Sequence, residues 1–167
     1  FNSIPMDQPG RYFYLRDRES GDYWSVSWQP VGKPLEQFKS TCRHGTAYTV
    51  ISSEYAGIAA EATYFVPLGQ NFEYWRLRVT NLSDRPRELS AFTYCEFTNQ
   101  WNTYQDQVNL QYSLFIVHGE MLDGLLRLAI HNNLTRETYD LSIHNMTCWM
   151  TLIGAPLAGY DTSREAF

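Results

Sequence analysis

Large apolar residues recur at every second position through most of the chain, the pattern of strands with one buried and one wet face. It is clearest over 73–80, where Trp75, Leu77 and Val79 alternate with Arg76, Arg78 and Thr80. That spacing predicts a strand whose large apolar side chains share one face. Asn81, Ser83, Asp84 and Pro86 come next, side chains that bond nearby backbone and an imide that cannot donate to a ladder, so a turn is expected there. A second strand is predicted over 88–98. Upstream, strands over 47–53 and 58–66 flank Glu54-Tyr-Ala-Gly57, where Gly57 supplies the positive φ of a tight hairpin, and Pro67 and Gly69 close it.

Further strands are predicted over 111–117, 125–131 and 147–153, with 119–124 and 132–145 as connections. No stretch of ten or more residues repeats at 3.6, and 34–40 reads as a single short helical turn. Strands about ten residues apart, separated by Gly, Asn and Pro, predict an all-β fold, an antiparallel β-sandwich. With no internal repeat and no low-complexity linker, a single domain is expected over 1–167.

Composition narrows the chemistry. Twelve Tyr, nine Phe and five Trp are a high aromatic load, and such rings suit pleated surfaces and stack on flat ligands such as sugar faces. A net charge of −5, without a basic run, argues against nucleic acid as a partner, because that affinity rests on Lys and Arg displacing counterions. Cys42, Cys95 and Cys148 are odd in number and widely spaced, which fits neither a disulfide framework nor a zinc knuckle and points to a reducing, cytoplasmic setting. The Asn-X-Ser/Thr sequons at Asn81, Asn133 and Asn145 are discounted for that reason. No apolar run approaches the roughly 18–20 residues that span a bilayer, so no membrane partner is expected. The first residue is Phe1, and the chain is expected to be cut from something longer.

Three clusters are candidates for ligand contact. Trp24 and Trp28, four apart in a segment ending at Pro30, offer indoles to a sugar ring while Ser25, Ser27 and Gln29 offer hydrogen bonds. The other reading, packing in a core or between domains, is the weightier on residues alone. Arg43 and His44 next to Gly45 put a cation and an imidazole together, for an anion or hydroxyl contact or for a structural ion pair. The densest polar run, 97–112, sets amides among Trp101, Tyr104 and Tyr112, as vicinal sugar hydroxyls require or as a solvated loop would have it. Hydrolysis of a glycoside needs a positioned carboxyl pair, and nothing local nominates one; Asp106 reads as a turn former. His44, His118, His131 and His144 lack metal-site spacing, and no serine sits in a nucleophile-elbow pattern.

Six ordered strings resemble the N-terminal domain of the inverting phosphorylases of glycoside hydrolase family 94. They are Gly10-Arg-Tyr-Phe-Tyr14, Trp24-Ser-Val-Ser-Trp-Gln-Pro30, Arg43-His-Gly45, Phe65-Val-Pro-Leu-Gly69, Val79-Thr-Asn-Leu-Ser-Asp84, and Glu96-Phe97 running into Trp101-Asn102. A seventh, Tyr160-Asp-Thr-Ser-Arg-Glu-Ala-Phe167, is similar to the family's lead toward its catalytic domain. The resemblance implies a galactose-mutarotase-like supersandwich, incomplete here, joined in the intact enzyme to an (α/α)6 barrel that carries the general acid and most of the phosphate site. It implies reversible phosphorolysis: phosphate attacks the anomeric carbon of a β-glucoside and yields α-glucose 1-phosphate, with inorganic phosphate as co-substrate and no cofactor or metal. No catalytic residue is then expected in this chain, which alone should be inactive, and the intact enzyme is expected to be a homodimer.

In that family a sandwich loop reaches the acceptor sugar through neighbouring Gln and Arg residues after the Trp-Asn pair. By this resemblance Gln111 matches the Gln, while Tyr112 stands where the Arg is expected. Exchanging a guanidinium for a phenol removes donors and adds a stacking face, which favours a cellodextrin-type acceptor over a short or acidic one. The expectation is therefore the N-terminal sandwich of a cellodextrin or cellobiose phosphorylase handling an oligosaccharide substrate. Chitobiose and cellobionic acid phosphorylases are the alternatives within the family. From another class, the alternative is a free-standing carbohydrate-binding sandwich using Trp24 and Trp28.

Overall fold

A computed structural model describes residues 10–95, 117–130 and 147–162. Every regular element in them is a strand, so the all-β expectation holds. The backbone divides into two compact units, Pro5–Glu96 and Phe1–Ile4 with Phe97–Phe167.

The described residues of the first unit form seven strands: β1 (Arg11–Asp17), β2 (Tyr23–Ser25), β3 (Lys39–His44), β4 (Tyr48–Tyr55), β5 (Ile58–Phe65), β6 (Tyr74–Asn81) and β7 (Leu89–Cys95). They form two antiparallel sheets, β2-β1-β7 and β3-β4-β5-β6. The core lies where the two sheets face each other. Phe13 and Leu15 of β1, Trp24 of β2 and the adjoining Val26 and Phe38 meet Ile58, Ala60, Ala62 and Tyr64, every second residue of β5. Each large side chain taken out of water there contributes about 1.5–3 kcal/mol. Phe13 and Tyr64 rings lie 5.9 Å apart, and Trp24 sits 5.2 Å from Tyr55. Small alanines at positions 60 and 62 leave room for these rings, the large-against-small matching that close-packed interiors need.

The predicted alternation over 73–80 is found in β6. Trp75 and Leu77 pack against the core while Arg76 and Arg78 are exposed on the other side. The β4–β5 hairpin turns through Ala56 and Gly57, at φ 50° and 78°, where Gly57 lacks the Cβ that would make such a φ costly. The turn after β6 uses its predicted chemistry. Asn81 Oδ1 accepts from Ser83 N at 3.0 Å, Asn81 Nδ2 donates to Arg85 O at 2.7 Å, and Leu82 N donates to Gly57 O at 2.9 Å.

Three strands, β1, β2 and β3, arise where no strand was expected. The segment expected as a helical turn is instead one tight turn, closed by Gln37 N donating to Pro34 O at 3.0 Å, that runs into β3. Among the described residues of this unit one ion pair is buried. Arg87 bonds the Asp17 carboxylate and donates to Ala56 O at 2.9 Å, tying β1 to the β4–β5 turn. The Arg87 guanidinium, with backbone N–H donors at Glu19 and Ser20, holds the Asp17 carboxyl below its ordinary range.

The second unit contains β8 (Val117–Leu122), β9 (Leu125–Ile130) and β10 (Thr147–Met150), an antiparallel sheet in the order β10-β9-β8. Residues 119–122, expected as a connection, belong to β8, and the turn is confined to Asp123 and Gly124. Glu120 and Arg127 are cross-strand partners and form an ion pair at 2.5 Å. Among the described residues no helix is long and apolar enough to cross a membrane.

Candidate functional site

The sequence offers Trp24 and Trp28 as sugar-facing indoles, and the structure spends both on packing. Trp24 is 1% exposed at the centre of the core and has no face for a ligand. Trp28 is half-buried against the same cluster, and its indole N–H donates to Lys33 O at 2.7 Å. Trp28 has φ 70°, costly for a bulky residue. Local bonds hold it: Ser25 Oγ donates to Trp28 O at 2.7 Å, and Gly32 N donates to the same oxygen at 2.8 Å. The segment from Ser25 to Lys33 thus clamps the core shut. Beside it, Lys33 Nζ meets Asp22 Oδ1 at 2.5 Å and Tyr55 donates to Asp22 Oδ2 at 2.9 Å. Burial alone would raise the Asp22 carboxyl, but the bonds from Lys33 and Tyr55 outweigh it and hold the group below its ordinary range. The same pairing raises Lys33.

Arg43 and His44 are not brought together, because successive side chains of a strand point to opposite faces. Both lie on β3 and are exposed. Arg43 is in register with Val50, on the face turned away from the core. His44 is on the opposite face, where Nδ1 lies 2.9 Å from Thr49 Oγ1 and Nε2 lies 3.3 Å from Cys42 Sγ. Gly45 has its own constraint: the Tyr48 ring lies against it, and a Cβ there would come within 2.3 Å of that ring. Trp101, Gln111 and Tyr112 lie outside the described residues. The single-domain expectation over 1–167 likewise includes segments outside them.

What sequence reasoning missed is the outer face of the β3-β4-β5-β6 sheet. Strand register sets Tyr48, Phe65 and Tyr74 side by side across three strands at one end of it. Phe65 and Tyr74 stack at 5.1 Å with their planes 25° apart, and Phe72 meets Tyr74 edge-on at 5.3 Å. Tyr48, Phe72 and Tyr74 are 51%, 46% and 44% exposed, so the rings form an open aromatic end. The other end of the face is polar. A shallow depression of about 350 Å³ has Lys39, Thr41, Ser52, Glu54, Glu61, Arg78 and Thr80 in its lining.

Its charges are paired across strands. Glu61 Oε1 lies 3.3 Å from Arg78 and 3.6 Å from Arg76, and Lys39 donates to Glu54 at 2.8 Å. The Glu54 bond raises the Lys39 ammonium above its ordinary value. Carboxylate acceptors, cationic donors and hydroxyls that do both are thus interleaved beside flat apolar rings. The signal was available in the sequence, since Tyr74, Arg76, Arg78 and Thr80 are the polar-side partners of Trp75, Leu77 and Val79. Which residues of β3, β4 and β5 stand beside them needs the register. Among the described residues no group of three or more His, Cys, Asp or Glu is placed to hold a metal ion.

Comparison with known proteins gives this sandwich its relatives. The family model described as glycosyl hydrolase 94, supersandwich domain, matches residues 1–167. An N,N'-diacetylchitobiose phosphorylase of Vibrio furnissii is 43% identical over 131 residues, covering 78% of this chain and 16% of that protein. Another, from Vibrio proteolyticus, is 42% identical over 77% of the chain and 16% of its own length. A solabiose phosphorylase of Paenibacillus borealis is 29% identical over 94% of the chain and 19% of its own length. The chain therefore spans under a fifth of the length of these relatives. A match along all 167 residues, on strands that build two facing antiparallel sheets, means that the chain belongs to the glycosyl hydrolase 94 supersandwich domain family.

Proposed function

We propose that this chain is part of the N-terminal sandwich of an inverting phosphorylase that cleaves a β-linked disaccharide or short oligosaccharide with inorganic phosphate. The observation that carries the reading is the supersandwich match over the whole chain, joined to 43% identity with a phosphorylase over 131 residues. Bond cleavage belongs to a domain beyond these residues, and the sandwich contributes Gln111 and Tyr112 to the acceptor sugar and contacts to a homodimer. The general acid, the phosphate site and the cytoplasmic setting are carried by the same reading.

For the sugar, N,N'-diacetylchitobiose stands first, because two chitobiose phosphorylases share 43% and 42% identity over more than three quarters of the chain. A cellodextrin is the second reading, favoured by Tyr112 in place of the cation that a short or acidic acceptor would use. The test is phosphate-dependent release of sugar 1-phosphate by the full-length protein from diacetylchitobiose, cellobiose, cellotriose and cellobionic acid. Diacetylchitobiose is expected to lead, and a lead for cellotriose would favour the second reading. Cleavage without phosphate, or of none of the four, would sink the proposal. Tyr112→Arg in the same protein is expected to shift acceptor preference in the synthetic direction; unchanged acceptor ratios would remove Tyr112 from the specificity argument.

A further inference from the structure

The outer face of the β3-β4-β5-β6 sheet combines two features that seldom share a purely solvated surface. Exposed sheet faces usually blunt themselves with scattered charges, and large rings on them are normally single. Here Tyr48, Phe65 and Tyr74 are in one cross-strand row, with Phe72 buttressing Tyr74 at 88°. Six residues farther along the strands, the face ends at Glu54, Ala59 and Thr80. At about 3.3 Å per residue the strip is about 20 Å long, room for several pyranose rings. The depression toward its polar end, about 350 Å³, falls at the lower end of the roughly 300–1,000 Å³ of small-ligand sites.

The charge arrangement selects among ligands. Glu54 and Glu61 line the depression and each already holds a cation, so an anion entering it would meet two carboxylates. A neutral polyol meets no such penalty. Its hydroxyls accept from Lys39 and Arg78 and donate to Glu54 and Glu61, while Thr41 and Ser52 do either. A nucleic acid would find those carboxylates too, and a peptide strand would seek a sheet edge rather than a sheet face. Aromatic rings beside interleaved donors and acceptors suit a ligand whose rings have apolar faces and hydroxyl-rich rims, which is a sugar chain.

We propose that this face is a saccharide-binding surface for a neutral, extended, β-linked oligosaccharide: the exposed Tyr74 and Tyr48 rings, with half-buried Phe65 between them, meet pyranose faces, and Lys39, Glu54, Glu61 and Arg78 bond the hydroxyls of the next units. The choice of β-linked sugar rests on the phosphorylase reading; the face as a polyol surface does not. It gives the sandwich a hold on chains longer than a disaccharide.

The test uses the full-length protein, with cellohexaose and chitohexaose as probes in titration calorimetry. Tyr74→Ala is expected to weaken binding of the better probe by roughly tenfold, the loss of one aromatic platform. Glu61→Gln is a second variant that keeps shape and removes charge, and it is expected to weaken binding several-fold. A single cooperative melt within a few degrees of the parent's establishes that each variant folds. Undiminished affinity in both variants, or no hexaose binding by the parent protein, overturns the proposal. So does a change of oligomeric state in Tyr74→Ala by sedimentation with binding intact, since the face would then be a contact between copies. Phosphorolysis is measured on the same samples. A protein that binds through this face yet cleaves nothing with phosphate overturns the enzymatic reading and keeps the surface. One that phosphorolyses but shows no Tyr74-dependent binding overturns the surface alone.

Discussion

The two faces of the β3-β4-β5-β6 sheet share one backbone and have opposite fates. On the inner face Tyr64 and Trp75 are register partners and lie 6.1 Å apart against the core. One residue along, on the outer face, Phe65 and Tyr74 are register partners 5.1 Å apart, with Phe65 half-buried and Tyr74 exposed. Burial on the inner side pushes the Tyr64 phenol up to about 12, despite the Arg11 guanidinium beside it. Parity along a strand thus decides whether an aromatic pair is structural or available. Residue type does not, because both faces use the same kinds of ring. The inner face is specified by volume and the outer by pairing of charges and rings, so the two should answer mutation on different scales.

The largest effect is expected for Trp24→Ala. Removing a side chain 1% exposed at the core costs about 3–5 kcal/mol, readable as a lower midpoint in urea denaturation with an unchanged slope. A cost below about 1 kcal/mol would mean that the core closes over the gap and that the inner face is less specified than its packing implies. Next comes Asp17→Asn, which leaves the buried Arg87 without its counter-charge. Because Arg87 depresses the Asp17 carboxyl, the pair's contribution is fully present above the ordinary Asp value and is lost as pH falls through the depressed one. Thermal melts from pH 7 down to pH 2 should show the parent losing stability in that acid range, and the variant starting lower and falling less. Parallel curves would place the acid sensitivity elsewhere.

Outer-face changes should be small. Tyr74→Ala removes one ring of a cross-strand stack and is expected to cost about 0.2–1 kcal/mol. Glu61→Gln breaks two exposed ion pairs at 3.3 and 3.6 Å, and after solvent screening the expected cost is about 0–1 kcal/mol, shrinking further with added salt. If either variant destabilised the fold as much as Trp24→Ala, the outer face would be a covered surface, and the contrast between the faces would collapse.

Legibility followed the same divide. Where one face is buried and the other wet, as in β6, the alternation was readable, and so was the turn whose Asn81 and Ser83 carry their own hydrogen bonds. β1 was not readable. Tyr12 to Leu15 is an unbroken apolar run with three successive buried residues, because side chains on both faces of that strand are covered. β3 was missed for the reverse reason, since Lys39 to His44 has no apolar pattern and all six residues are exposed. Its six register pairs with β4 make it a strand. Residues 119–122 of β8 were read as a connection because Gly119 and Gly124 bound that stretch. Only Gly124, with Asp123, lies in the turn.

For the candidate sites, residue chemistry was legible and location was not. Trp24 and Trp28 have the composition of a sugar platform and the position of a core clamp. Arg43 and His44 are neighbours in sequence and belong to opposite faces.

By itself, then, the sequence determined the all-β class, the hairpin turn at Gly57, the face assignment of β6 and the kinship of the chain, because each is encoded in local period, local turn chemistry or an ordered set of short strings. Only the tertiary structure decided which aromatics are buried, that Asp17 and Arg87 meet across 70 residues, and that Tyr48, Phe65 and Tyr74 form one row. Those facts depend on strand order and register, and pairing between distant strands follows from how the faces pack together rather than from any single segment.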